Sequence, residues 1–149
     1  MTYNNIRAAD AKDMEELLRI LDQLSPRNTD DKSVSKEKLT NVMNTMASSG
    51  NHYLAVYDDG GRIAGTAMLV VQYNLSHGGR PYGHIENVVI DEKYRGKGIG
   101  KALVDYLVEE ARKGNCYKVI LNCSEDNISF YKKCGFNQNG KIEMRINLD

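Results

Sequence analysis

The sequence has no tryptophan, two prolines, two phenylalanines and no net charge. Each shortage excludes something. Twenty basic residues balance twenty acidic ones, which leaves no field suited to a nucleic acid or an anionic bilayer as the main partner. No apolar run approaches the roughly 20 residues that a membrane-spanning helix needs, and the N-terminus has no signal-peptide core. The expectation is a cytoplasmic protein with no membrane and no nucleic-acid partner. The three cysteines, Cys116, Cys123 and Cys134, form no C-x-x-C pair and are odd in number. They read as reduced thiols, not as a disulfide frame or a metal knuckle, and no metal is expected.

A chain of 149 residues is long enough to bury a core, and nothing in it looks like a linker or a repeat, so residues 1–149 read as one domain. Asn5 to Arg7 suits a short strand. Asp10 can cap a helix carrying Met14, Leu17, Leu18, Leu21 and Leu24 at helical spacing, ended by Ser25-Pro26. Arg27 to Ser33 is polar and reads as a mobile loop. Ser35 can cap a second helix with a stripe of Leu39, Val42, Met43 and Met46, stopped by Gly50. His52–Tyr57 and Arg62–Tyr73 read as strands joined by an Asp58-Asp59-Gly60-Gly61 hairpin turn. A loop follows over Asn74–Arg80.

The stretch from Ile85 to Lys113 carries the strongest signal. Ile85–Ile90 is β-branched enough to be a strand, and Arg95–Gly100 has glycine at every second position. From Ile99 the apolar residues Ala102, Leu103, Tyr106, Leu107 and Val108 recur at helical spacing, with Gly114 as the closing residue. A strand feeding a glycine loop that opens a helix aims backbone N–H groups and the positive end of the helix dipole at one point, where an anion fits. A Walker A loop is excluded, because Gly100-Lys101 is followed by Ala102 and Arg95 stands at the first glycine position. The dinucleotide fingerprint is excluded too, because Lys101 stands where its third glycine would be. An ordinary glycine-rich helix cap is the bland alternative. Beyond the helix, Tyr117–Leu121 reads as a buried strand, Asp126 as the cap of a short helix Asn127–Lys133, and Lys141–Leu148 as a last strand. The order β-α-α-β-β-β-α-β-α-β predicts a mixed α/β sheet with helices on its faces.

The remaining pattern, Arg95-x-x-Gly98-x-Gly100, resembles the coenzyme A pyrophosphate loop of the GNAT superfamily of acetyltransferases. Four further blocks resemble one branch of it, the glucosamine 6-phosphate N-acetyltransferases: Gly83 to Val89, Tyr94 to Lys101, Cys116 to Leu121, and Asn127 to Phe136. Weaker likeness lies at Leu21–Ser25 and in the loop ending at His77. The resemblance implies a GNAT fold: a mixed, mostly antiparallel central sheet with splayed middle strands and helices on both faces. It also implies a cytosolic homodimer that moves acetyl from acetyl-CoA to the amine of glucosamine 6-phosphate, toward UDP-N-acetylglucosamine.

A thioester is already activated, so an amine can attack it directly. The protein must hold both reactants, accept a proton, and stabilise the oxyanion and the leaving thiolate. By the resemblance, Val88, Val89 and Ile90 would meet the pantetheine. Arg95, Gly96, Lys97, Gly98, Ile99, Gly100 and Lys101 would hold the pyrophosphate, and Asn127 and Lys133 would touch other parts of coenzyme A. Tyr131 would sit beside the sulfur and Glu86 beside the amine, with Asn122 as a third member of the catalytic group. Ser25, Asn74, His77, Asn87, Tyr117, Lys118 and Arg145 would meet the sugar phosphate, some of them across a dimer interface. Plain readings stand beside these: Tyr131 as a core residue, Glu86 as a solvated carboxylate, His77 and Lys118 as surface polar groups, Cys123 as packing.

The chain departs from the branch at Asn87 and Asn122, where aspartates are usual, and near Arg145, where Asn147 follows a displaced arginine. The departures leave open a different small amine as acceptor, or an acyl-CoA-binding module without turnover. Loss of two carboxylates argues against a polycationic acceptor.

Overall fold

The computed structural model describes residues 3–26 and 29–148. Five strands, β1 (Ile6–Ala8), β2 (His52–Asp59), β3 (Arg62–Gln72), β4 (Tyr82–Ile90) and β5 (Val119–Ile120), make one sheet in that order. All neighbours are antiparallel except β4 and β5. The expected mixed, mostly antiparallel sheet is present. The β2–β3 turn is closed by Gly60 and Gly61 at φ 66° and 98°, with the Asp58 carboxylate accepting from the Gly61 N–H at 2.6 Å.

Helices α1 (Met14–Leu24) and α3 (Lys36–Ser49) cover one face, and α4 (Ile99–Lys113) covers the other. Met14, Leu17 and Ile20 of α1 and Met43 of α3 bury against Val56, Ile63 and Val89. Leu103, Val104 and Leu107 of α4 bury against Ala67, Leu69 and Ile85. Ser35 caps α3 by accepting from Lys38 N–H, and Gly50 ends it at φ 72°. Asp10 caps a 3-10 turn that runs into α1, in a reciprocal box with Asp13. Among the described residues no helix is long and apolar enough to cross a membrane.

Several expectations change. Arg27 and Asn28 lie outside the described residues, but Thr29–Ser33 forms the short helix α2 instead of a loop. Leu24 is exposed and Ile20 takes its place in the core. At the end of α4 the left-handed residue is Asn115 (φ 58°), not Gly114 (φ −77°); asparagine tolerates that region through its short polar side chain. Helix α5 is Ile128–Lys133 with Asn127 at its N-cap, and Asp126 sits in the preceding 3-10 turn. The strand after α4 is only Val119–Ile120, and both residues are half-buried, because β5 is the sheet edge. Residues 141–148 pair with no strand among the described residues, and Ile142, Met144, Ile146 and Leu148 are 83–91% exposed. Their alternation fits a strand; a single copy offers them no neighbouring strand.

Candidate active site

Three features lie along and beyond β4: the loop that follows it, its freed edge, and a cavity lined mainly by residues after β5. The first is the glycine loop. Asp91 closes β4, is 1% exposed, and accepts from Lys93 N–H at 3.1 Å through its side chain and from Tyr94 N–H at 2.8 Å through its carbonyl. That sets the 3-10 turn Glu92–Tyr94 from which Arg95 and the glycines emerge. Gly96 and Gly98 stand at φ 77° and 80°, and an added Cβ at either would meet nothing within 4 Å. Backbone conformation is what requires glycine there, and the loop's outer face stays open for a ligand. Among the described residues no side chain caps α4, so its first N–H groups, which have no intrahelical partner, are left pointing out of the helix end. Ile99 is buried and can offer only its backbone. Gly100 matters for packing instead. A Cβ there would stand 3.1 Å from the Phe130 ring, so its bareness lets α5 close on α4. Arg95 Nε donates to Ile90 O at 3.3 Å, and Lys97 Nζ lies 4.9 Å over the Tyr94 ring. Lys101 pairs along the helix with Asp105.

The second feature is a break in the sheet. β5 pairs with β4 only at Gly83–Val119 and His84–Ile120. Past His84 the two strands part, which leaves the outer backbone groups of β4 unpaired toward β5. On its other edge β4 carries a bulge: Thr66 lies opposite Val89 and Met68 opposite Glu86, so Ala67 faces both Asn87 and Val88. Asn87 absorbs the extra residue at φ 54°. The bulge reverses the alternation. Before it Ile85 packs toward α4; after it Val88 and Ile90 do, while Val89 turns toward α1. Tyr82, His84 and Glu86 share the face opposite Ile85, and Glu86 is half exposed there.

The third feature is the far wall. Leu121, Asn122, Cys123, Ile128, Tyr131 and Phe136 line a cavity of about 440 Å³. Tyr131 packs edge-on against Phe130 and Phe136, at 4.9 Å and 6.2 Å between ring centres. Burial, with smaller contributions from Cys123 and Cys134, pushes its hydroxyl up to about 12, so it holds its proton throughout the physiological range. Asn127 begins α5, its amide donating to Ser124 Oγ at 3.3 Å, and Lys133 ends it, exposed.

A polar and aromatic group stands at the other end of β4. The His77 ring stacks on Tyr117 at 3.9 Å, and Lys118 Nζ lies 5.0 Å over Tyr82 and 5.2 Å over Tyr117. Asn74 braces the loop by donating to Ser76 Oγ at 2.8 Å, and Ser76 Oγ lies 3.0 Å from His77 Nδ1. His77, Tyr117 and Lys118 are thus brought together, with Tyr82 as a member that sequence reasoning missed. Its signal was present as Tyr82, His84 and Glu86 at every second position. Ser25 is exposed at the end of α1, and Arg145 is exposed and paired with Glu143 in the extended tail; neither joins this group in one copy of the chain. Among the described residues no group of histidine, cysteine or carboxylate side chains could hold a metal ion.

A family model described as "Acetyltransferase (GNAT) family" matches residues 14–136. A glucosamine 6-phosphate N-acetyltransferase of Trypanosoma brucei brucei is 50% identical over 88 residues, covering 59% of this chain and 59% of that relative. The crystal structure of glucosamine-6-phosphate N-acetyltransferase from Arabidopsis thaliana superposes with a TM-score of 0.88, at 33% identity over 97% of each chain. A predicted acetyltransferase with acetyl-CoA from Clostridium acetobutylicum superposes with a TM-score of 0.72, at 25% identity over 95% of each chain.

Proposed function

This chain belongs to the acetyltransferase (GNAT) family, and we propose that it transfers acetyl from acetyl-CoA to the amine of glucosamine 6-phosphate by direct attack within a ternary complex. The supporting observation is the fork between β4 and β5 past His84, with the glycine loop at one end and Tyr131 on its far wall. Pantetheine is an extended chain with two amides. It fits the freed edge of β4 as a strand would, with Val88 and Ile90 offering backbone groups. The pyrophosphate then meets the open end of α4 and the loop from Arg95 to Gly98.

In this reading the amine nitrogen attacks the thioester carbon and the carbon–sulfur bond breaks. The amine proton passes to the Glu86 carboxylate, directly or through one water, and the Tyr131 hydroxyl donates to the departing sulfur. A tyrosine whose proton is held to high pH suits a donor and not a base. Asn122 and Asn87 can only hydrogen-bond, which a weakly basic sugar amine, partly neutral near pH 7, tolerates. The His77–Tyr117–Lys118 group supplies a cation and a flat face for a sugar phosphate.

The working unit in this reading is a homodimer of single-domain chains, residues 1–149. The unpaired segment 141–148 and the short edge strand β5 are complementary liabilities, and a second copy can satisfy both. Arg145 would reach the sugar phosphate only from such a partner. The test is thiol release from acetyl-CoA with glucosamine 6-phosphate, glucosamine and spermidine compared. Turnover confined to the phosphorylated sugar is expected; preference for spermidine overturns the assignment.

A further inference from the structure

His84 lies outside every role assigned above. Its Nε2 is buried and, among the described residues, has no properly aligned hydrogen-bond partner, yet Glu86 Oε1 stands 3.1 Å away. The distance is that of a hydrogen bond and the angle is not. Glu86, at 47% side-chain exposure, has room to swing into line, whereas His84, at 27%, does not. Catalytic hydrogen bonds that are misaligned in a free enzyme commonly tighten once substrate fills the site.

The backbone explains why the histidine is the fixed member. His84 is the last residue of β4 that pairs with β5, opposite Ile120, and it also pairs with Val70 of β3. The preceding Gly83 donates to Lys118 O at 2.9 Å and is wedged so tightly that a Cβ would stand 2.8 Å from Leu69. Glu86, two residues on, has lost β5 and adjoins the bulge at Asn87. A carboxylate beside a bulge at a sheet edge needs a side-chain tether to keep its aim, and His84 Nε2 is the buried polar atom held within its reach on that face.

We propose that His84 is a positioning residue for the acetyl transfer: its imidazole Nε2–H donates to the Glu86 carboxylate and holds it toward the mouth of the β4–β5 fork. The proposal rests on the reading of Glu86 as the group that accepts the amine proton. No proton leaves the imidazole. The proton shed by the amine ends on Glu86, and the imidazole N–H orients that carboxylate before attack and releases it for exchange with water afterward. His84→Leu removes the donor and keeps the bulk. His84→Gln can restore it, because the amide carries N–H groups at similar reach.

Two experiments test this. In steady-state kinetics His84→Leu is expected to lower kcat about tenfold to a hundredfold, the range of a hydrogen bond to a charged group, with the KM for acetyl-CoA unchanged. His84→Gln is expected to recover most of the loss. In a Glu86→Gln background His84→Leu is expected to cost little more, because its effect runs through the missing carboxylate. Equal and additive losses in both backgrounds, or a raised acetyl-CoA KM, would make His84 a packing residue and overturn the proposal. The second experiment needs no turnover. Imidazole ¹⁵N NMR of the intact protein is expected to show the Nε2–H tautomer, with a shift that moves in Glu86→Gln. The Nδ1–H tautomer, or a shift indifferent to Glu86, overturns the proposal even if glucosamine 6-phosphate proves to be the acceptor. A wild-type chain that leaves glucosamine 6-phosphate unacetylated fails the substrate reading alone, and the NMR result still decides on His84.

Discussion

Arg19 Nη1 stands 2.6 Å from Asp91 Oδ2, joining the middle of α1 to the last buried residue before the glycine loop. Arg19 also grips Glu16 and donates to Ile63 O at 2.9 Å, and Gln23 of the same helix accepts from Glu92 N–H at 3.0 Å. The loop proposed to hold the pyrophosphate is therefore anchored from a helix far earlier in the chain, Arg19 and Asp91 being 72 residues apart. Burial raises the Asp91 carboxyl; the Lys93 N–H and the Arg19 and Arg62 charges outweigh it and hold the group below its ordinary range.

Breaking this pair should be costly. Arg19→Ala removes the nearer of two arginines from a buried carboxylate, leaving Arg62 at 3.5 Å, and is expected to cost about 2 kcal/mol in urea unfolding, with a raised KM for acetyl-CoA from the loosened loop. A stability loss without any change in that KM would mean that α1 anchors the sheet but not the loop.

Carboxylates held by arginine set the acid limb of stability. The Arg7 hydrogen bonds lower the Asp13 carboxyl against burial, the Arg19 hydrogen bonds do so for Glu16, and Asp91 is lowered as described. A carboxyl with a depressed folded pKa stabilises the fold above its unfolded value and loses that contribution as pH falls through the folded one. Stability should accordingly be level near neutrality and decline below about pH 4. Asp13→Asn should flatten that decline in acid-unfolding curves followed by circular dichroism.

Gly98 and Gly100, neighbours but one in the chain, should fail differently. Gly98→Val forces a β-branched residue to φ 80° where space is open, so it should weaken acetyl-CoA binding by about tenfold or more in calorimetry with modest loss of stability. Gly100→Ala presses on Phe130 and should displace α5, lowering kcat through Tyr131 more than it lowers coenzyme affinity. Unchanged affinity in a folded Gly98→Val protein would remove the loop from the coenzyme site.

Tyr131→Phe retains both ring contacts and deletes one donor. The expected result is a kcat about ten- to a thousandfold lower, with the amine KM little altered. An unaltered kcat, with chemistry shown to be rate-limiting, takes Tyr131 out of the mechanism.

The tail can be tested apart from chemistry. Ile146→Asp places a charge in the exposed apolar row 142–148, and sedimentation equilibrium should show the proposed dimer weakened toward monomer. Mixing the impaired His77→Ala and Tyr131→Phe chains should raise activity above that of either alone if each site draws on both subunits. A fully active monomer would refute the shared site.

Much of this molecule was legible in local pattern. Helical spacing from Ile99 to Lys113, the capping by Ser35, the turn at Gly60-Gly61 and the Arg95-x-x-Gly98 loop each depend on residues within a turn or two of one another, so the sequence alone determined them. The end of the strand pairing at His84, the bulge at Asn87 and the buried contact from Arg19 to Asp91 depend on partners far along the chain, and no periodicity reports them. Lys141–Leu148 has the alternation of a strand and no partner among the described residues, because pairing is a property of two segments and only one of them is written in its own residues. The sequence decided that a glycine loop opens α4; the tertiary structure decided where β4 parts from β5 and that Glu86 lies beside His84, since register and bulge set which side chains share a face.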